Sequence, residues 1–141
     1  ADGVDGGTYT TGSRATIPIN TIDPDSDVFA TLNLNQISFP AGVYEFDIAT
    51  AGNRIGDFQT ALVGDPNGSP FDIATSSSGF AVVGTVANYY VFIKKRYSSS
   101  VPFTVELQIE ASNSKATDGL GRGNTLGNVN RYTIFKANKV L

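Results

Sequence analysis

An all-β fold, arranged as an antiparallel β-sandwich, is predicted by three features of this sequence. Apolar and polar residues alternate in several short segments, turn residues separate these segments, and no segment carries the apolar stripe of a helix. The chain of 141 residues has the length of one ordinary domain with its own core. We therefore expect a single sandwich domain over residues 14–141.

The two clearest strands show a fault-free alternation. The segment Phe103–Glu110 places Phe103, Val105, Leu107 and Ile109 on one face. Within Val43–Ile48, Tyr44, Phe46 and Ile48 lie on one face and the carboxylates of Glu45 and Asp47 on the other. Further strands are expected over residues 14–19, 28–34, 58–63 and 131–136. The predicted core consists of Tyr44, Phe46, Ile48, Leu62, Val105, Leu107, Ile109 and Ile134.

Two further strands are apolar on both faces. They span Phe80–Val86 and Tyr89–Ile93, and strands of this kind are usually buried on both sides. In a two-sheet sandwich only one face belongs to the core, so the second face needs another subunit or a covering loop. The predicted subunit interface consists of Val83, Tyr89, Tyr90 and Phe92.

Turn residues divide the chain at regular intervals. The strongest turn is Asp65-Pro66-Asn67-Gly68, because proline presets the first central position and Asn-Gly tolerates positive φ. Eight or nine short strands separated in this way predict a sandwich, a jelly roll or a barrel.

The first residues differ in composition from the rest. Residues 1–13 contain four Gly and scattered polar residues, which predicts a flexible arm or linker. This arm is either a disordered tail or an extended segment that lies on a neighbouring subunit.

Composition argues against several classes of function. The net charge is −3 and the only basic block is Lys94-Lys95-Arg96, so no nucleic-acid partner is expected. The chain has no His and no Cys, which removes the commonest general base and the usual zinc ligands, and we predict no cofactor and no catalytic residue. No apolar run approaches about 18 residues, so no membrane insertion is expected.

Two clusters could hold ions. Asp23, Asp25 and Asp27 alternate as in the opening of a calcium loop, but the later ligand positions are missing; a solvated acidic turn is expected, and calcium binding stays open. Lys94-Lys95-Arg96 is either a solvated strand end or a site for an anionic group, such as a neighbouring chain's carboxylate or a charged sugar.

Several motifs resemble the C-terminal domain of bacteriophage and prophage tail fibres. Phe39-Pro-Ala-Gly-Val-Tyr44 is similar to that family's LPAGTY strand start, and Val105-Glu-Leu-Gln108 to its FELQ strand. Ser114-Lys-Ala-Thr-Asp-Gly-Leu-Gly121 is similar to its TTKATNGFG loop, and Tyr132–Lys136 to its closing YTEVEIWK strand. The motifs keep their order over residues 39–136.

The sequence also departs from that family. Gly56-Asp57 stands where the family has a basic RH pair, so no role of that pair carries over. Phe135 stands where the family has tryptophan.

The resemblance implies a fold and a role. The strand-start motif is also similar to C1q-like and tumour-necrosis-factor-like jelly rolls, which form trimers about a threefold axis. The implied protein is a homotrimeric fibre head or tip in the virion, which contacts other virion proteins and binds the host surface, with a surface glycan as candidate ligand. The alternatives are a capsid-bound head fibre or decoration protein, a cellular carbohydrate-binding module, and a glycan-degrading enzyme.

Receptor contact, in this interpretation, lies in the loops, because strand residues are committed to the core or the subunit interface. The candidate loops are 65–71, 98–100 and 118–128. The candidate receptor-binding residues are Asn67, Phe71, Tyr97, Arg122, Asn124 and Asn128.

Overall fold

The computed structural model describes residues 6–19, 30–123 and 132–140. These ranges contain ten strands and no helix. Nothing in them forms a helix that could cross a membrane. The strands are β1 (Ala15–Thr16), β2 (Thr31–Asn33), β3 (Gln36–Phe39), β4 (Gly42–Gly52), β5 (Gly56–Gly64), β6 (Phe71–Thr75), β7 (Gly79–Ala81), β8 (Tyr89–Ser99), β9 (Phe103–Ala111) and β10 (Thr133–Lys139).

The strands form two antiparallel sheets. The large sheet has the order β2-β3-β9-β5-β6, with β1 also paired to β9 and β7 also paired to β5. The small sheet has the order β10-β4-β8. Strand β4 runs the length of the sandwich, and we name the two ends of the molecule the Gly42 end and the Gly52 end. The predicted all-β sandwich is confirmed.

The core lies between the sheets and follows the predicted alternation. Seven of the eight predicted core residues are almost fully buried: Tyr44, Phe46, Ile48, Leu62, Val105, Leu107 and Ile109. They belong to the central strands β4, β5 and β9, where one face of each strand has no access to water. A short polar alternation is therefore enough to identify the inner face of these strands.

An aromatic cluster fills the core at the Gly42 end. Phe39 lies between Tyr44 and Phe103, with ring centroids 5.0 Å and 5.2 Å away. The hydroxyl of Tyr44 donates a hydrogen bond to the backbone carbonyl of Pro40 at 2.8 Å, and burial raises the pKa of Tyr44. The Phe39–Tyr44 motif thus closes the turn between β3 and β4 from inside the core.

Ile134 is the predicted core residue that is placed wrongly. Its side chain is 38% exposed, whereas its neighbour Phe135 packs against the core near Phe39 and Phe46. Both residues are apolar, so the hydrophobic pattern of β10 does not indicate which of them faces inward. The pairing of β10 with β4 determines which of the two side chains faces the core.

The predicted strand Phe80–Val86 is also wrong in its extent. Strand β7 ends at Ala81, and the chain then turns, with the Thr85 amide donating to the Val82 carbonyl at 3.3 Å. The segment expected over residues 14–19 is reduced to β1. Residues 28 and 29, at the start of another expected strand, lie outside the described residues.

Residues 6–13 belong to the domain rather than to a free arm. The Tyr9 side chain is completely buried, and its hydroxyl both accepts from the Ala111 amide (2.7 Å) and donates to the Ala111 carbonyl (3.2 Å). The backbone of Tyr9 also exchanges two hydrogen bonds with Lys115. The expectation of a flexible segment up to residue 13 is therefore wrong for residues 6–13, because a buried tyrosine anchors them to their own chain.

Candidate assembly and binding surfaces

The outward face of the small sheet is apolar near the Gly52 end. Val91 and Ile93 of β8 point into the core, so Tyr90 and Phe92 point outward and are 43% and 59% exposed. Phe92 pairs with Ala49 of β4, which pairs with Ile134 on the other side. We call Ala49, Tyr90, Phe92 and Ile134 the apolar patch.

An exposed loop continues this apolar surface along the chain. Between β7 and β8, Val82, Val83 and Val86 all have exposed side chains. Tyr89, at the start of β8, is exposed as well. The predicted interface residues Val83, Tyr89, Tyr90 and Phe92 thus all lie on the surface of a single chain, and they are close together in sequence. Ile134 also belongs to this surface, although its sequence pattern predicted a core position.

Polar side chains hold this apolar loop in place. The Ala87 amide donates to Asn53 Oδ1 at 3.2 Å. The side chain of Asn88 exchanges two hydrogen bonds with the backbone of Arg122, at 2.7 Å and 3.0 Å. The valine side chains are therefore presented by a fixed backbone.

Asn53 connects three segments at the Gly52 end. Its side chain is completely buried, and its Nδ2 donates to the Asp118 carbonyl at 3.1 Å while its Oδ1 accepts from Ala87. Its backbone amide donates to the Gly119 carbonyl at 3.0 Å. In the sequence Asn53 is indistinguishable from an ordinary turn residue.

We expect Asn53→Ala to lower the free energy of unfolding by about 1–3 kcal/mol, because it leaves the Ala87 amide without its partner and removes one of the two hydrogen bonds that the Asp118 carbonyl accepts, the other coming from the Gly121 amide. Urea denaturation at one protein concentration measures this loss. Asn33→Ala is the matched control, since Asn33 is exposed on the edge strand β2, and it should cost less than about 0.5 kcal/mol. Equal losses in the two variants would contradict the assigned role.

The outward face of the large sheet is polar across β1, β3 and β9, whereas Phe80 of β7, opposite Asp57 of β5, is 54% exposed. Glu106 of β9 is only 8% exposed, and its carboxylate accepts hydrogen bonds from Gln108 (2.6 Å), Gln36 (3.2 Å) and Thr16 (3.5 Å). Gln36 in turn exchanges two hydrogen bonds with Asn67. The polar side chains on this part of the face thus form hydrogen bonds with one another across β1, β3 and β9.

A bidentate ion pair crosses the same face. The guanidinium of Arg14 contacts the two carboxylate oxygens of Asp72 at 2.6 Å and 2.9 Å, and lies 3.9 Å from Glu110. The hydrogen bonds from Arg14 hold the pKa of Asp72 below its ordinary value of 3.8, and the pKa of Arg14 is raised. This pair links the chain just before β1 to the edge strand β6.

The Arg14–Asp72 pair predicts a small pH-dependent contribution to stability. Because the folded-state pKa of Asp72 is depressed, the contribution is complete above about pH 4, the ordinary range of an unfolded aspartate. It is lost as the pH falls through the folded-state value. The free-energy difference between the wild type and Asp72→Asn should therefore be present at pH 6, shrink below pH 4 and weaken with added salt, since the pair is partly exposed. A difference that grows at low pH would contradict this.

Toward the Gly42 end, the outward face of the small sheet is charged. Glu45 and Asp47 of the central strand β4 lie opposite Arg96 and Lys94 of β8. These side chains line a shallow depression of about 410 Å³ together with Phe46, Lys95 and Asn138. The outward face of the small sheet thus has two parts, the apolar patch near the Gly52 end and a charged half toward the Gly42 end.

The loop after β9 contains a buried carboxylate. Asp118 is 3% exposed and lies 3.3 Å from Lys115 Nζ and 3.4 Å from Arg122 NH1. Arg122, predicted to contact a receptor, is therefore engaged with Asp118 and, through its backbone, with Asn88.

The structure does not bring the predicted receptor residues together. Asn67, in the Asp65–Gly68 turn, and Phe71, at the start of β6, lie at the Gly42 end, whereas Arg122 lies at the Gly52 end. Tyr97 is not in a loop: it belongs to β8 and packs edge-on against Phe103, with centroids 5.2 Å apart. Asn124 and Asn128 lie outside the described residues.

The three glutamates do not form a catalytic pair. Glu45 lies on the small sheet, and Glu106 and Glu110 lie on the large sheet, each engaged by the neighbours described above. Among the described residues no group of three acidic, His or Cys side chains could hold a metal ion. Asp23, Asp25 and Asp27 lie outside those residues.

Comparison with known proteins supports the fold. No protein-family model matches the chain, and no curated protein matches it in sequence. Among solved structures, the crystal structure of murine APRIL at pH 8.0 is similar to it with a TM-score of 0.50, at 8% sequence identity, over 69% of this chain and 72% of that chain. With its two antiparallel sheets in the order described above, the chain has a tumour-necrosis-factor-like jelly-roll fold.

Proposed function

We propose that the chain is the trimeric head or tip domain of a bacteriophage fibre and attaches the virion to the host surface. The proposal combines the observed fold with the order of the motifs over residues 39–136. It requires no catalytic residue and no bound cofactor.

The observation that carries the proposal is the contrast between the two outward faces of the sandwich. The outward face of the large sheet has a polar network around Glu106 and one exposed aromatic side chain, Phe80, whereas the small sheet exposes the group Tyr90, Phe92 and Ile134. Aromatic and branched aliphatic side chains grouped on one face, with charges beside them, are typical of an assembly surface. Three copies that cover this face about one axis leave the polar face of each large sheet in water.

The motifs shared with tail fibres have structural roles in this chain, which supports a shared fold. Phe39 and Tyr44 pack in the aromatic cluster, and the Tyr44 hydroxyl holds the Pro40 carbonyl. In the Ser114–Gly121 loop, Lys115 pairs with Tyr9 and Asp118 is buried.

The test uses virions that carry this chain. Gold-labelled antibody against the domain should mark fibre ends, and the purified domain, added to host cells first, should reduce phage adsorption. The monomeric variant described in the Discussion is the control and should inhibit at least ten times less, because it loses the avidity of three linked sites.

Two further results of the labelling experiment would each indicate a different function. Label distributed over the capsid, with no inhibition of adsorption, would overturn the attachment role in favour of a head fibre or decoration protein. Absence of label from the virion would overturn the virion assignment altogether.

A further inference from the structure

The charged half of the small sheet's outward face combines three kinds of polar group. Arg96 and Lys94 of β8 flank Glu45 and Asp47 of β4, and on the other side Asn138 and Lys136 of β10 lie opposite the same two carboxylates. The depression between them is open to solvent and has a volume of about 410 Å³. This size falls within the range of about 300–1,000 Å³ that small-ligand sites occupy.

The positive charges of this region are mostly uncompensated. Arg96 lies 3.8 Å from Glu45, but within the described part of the chain no carboxylate lies within 4.0 Å of the ammonium groups of Lys94, Lys95 or Lys136. The whole chain carries a net charge of −3, so this local excess of cations runs against the composition of the protein.

Assembly through the apolar patch leaves this charged half uncovered. Burying unpaired ammonium groups costs several kcal/mol per ion, on the order of the gain from burying an aromatic side chain or more. An interface centred on Phe92 and Ile134 therefore stops where Lys94 and Lys136 begin. The depression lies at the margin of that interface, where a ligand has access.

We propose that this depression binds a carboxylate-bearing glycan, which rests on the proposed attachment function. Lys94, which lies beside Arg96 on the outward face of β8, holds the sugar carboxylate through charge-assisted hydrogen bonds. Asp47, Glu45 and Asn138 accept hydrogen bonds from sugar hydroxyls, and Asn138 also donates one. The two carboxylates inside the depression explain the preference for a sugar over a polyphosphate or nucleic acid, whose dense negative charge they repel.

The binding test uses the whole chain and defined probes. Titration with trigalacturonate, a hyaluronan tetrasaccharide and a sialic acid dimer, followed by amide chemical shifts, should move residues 45–47, 94–96 and 136–138 with at least one probe. The methyl ester of that probe keeps every hydroxyl but has no charge, and it should bind at least ten times more weakly.

Variants separate specific binding from simple charge attraction. Lys94→Gln should weaken binding at least tenfold, whereas Lys139→Gln, which removes a β10 cation outside the lining of the depression, should change it less than twofold. Asp47→Asn should weaken binding too, because one of the two carboxylate oxygens that accept from sugar hydroxyls becomes an amide group that cannot accept. Tighter binding by Asp47→Asn, equal binding of acid and ester, or no response to all three probes would overturn the proposal.

The two proposals can fail separately. If the domain inhibits phage adsorption but binds none of these probes, the depression is not the site, and attachment stands. If it binds an acidic probe through Lys94 but leaves adsorption unchanged, the site stands, and attachment fails.

Discussion

Leu107→Ala is expected to destabilise the domain by about 2–5 kcal/mol, the usual cost of a large-to-small change in a core that cannot collapse around the cavity. Leu107 is at the centre of β9, is completely buried, and pairs with Leu62 of the adjacent strand β5. Urea denaturation at a fixed protein concentration measures the change.

Leu34→Ala provides a matched control for this measurement. The same side-chain atoms are removed, but Leu34 is 86% exposed, so its loss should cost less than about 0.5 kcal/mol. A cost for Leu107→Ala below that level would show that the inner face of β9 has been assigned wrongly.

Phe92→Asp is expected to convert the proposed trimer into a monomer without unfolding the chain. The Phe92 side chain points away from the core, so a carboxylate there is solvated in the monomer. In the proposed trimer the same carboxylate would be buried beside Tyr90 and Ile134, once in each of three interfaces. The nearest cations, Lys94 and Lys136, lie two residues further along β8 and β10, in the charged half that stays uncovered. Light scattering should therefore show a threefold fall in mass, while the far-ultraviolet circular dichroism stays that of the wild type.

Val101→Asp is the control for Phe92→Asp. Val101 is at least as exposed as Phe92 but lies at the Gly42 end, between β8 and β9 and away from the apolar patch. It should leave the mass unchanged. If both variants dissociate, or neither does, the apolar patch is not the interface.

The sequence alone was sufficient to predict a strand and its inner face where one face of the strand is buried and the other is exposed to solvent. Over Tyr44–Asp47 of β4 and Val105–Glu110 of β9 each inward apolar side chain is followed by a polar one, so both the strand and its inner face could be predicted. In β10 the adjacent Ile134 and Phe135 are both apolar, and the face is determined by pairing with β4. The pattern within one strand carries no information about that pairing.

Long-range contacts account for the other differences. Tyr9 is buried by a segment 102 residues away, and Asn53 bonds to Asp118, 65 residues further on. The sequence also could not show that the candidate receptor loops lie at opposite ends of the sandwich, because this depends on the path of every intervening strand. The surplus of apolar residues in β8, in contrast, predicted the exposed Tyr90 and Phe92 from composition alone.

The central claim is that the apolar patch is covered by other copies of the same chain. Sedimentation equilibrium of the wild-type protein at micromolar concentration tests it most directly. The account predicts a single species with three times the chain mass of 14.9 kDa. A monomer of 14.9 kDa under these conditions would contradict it.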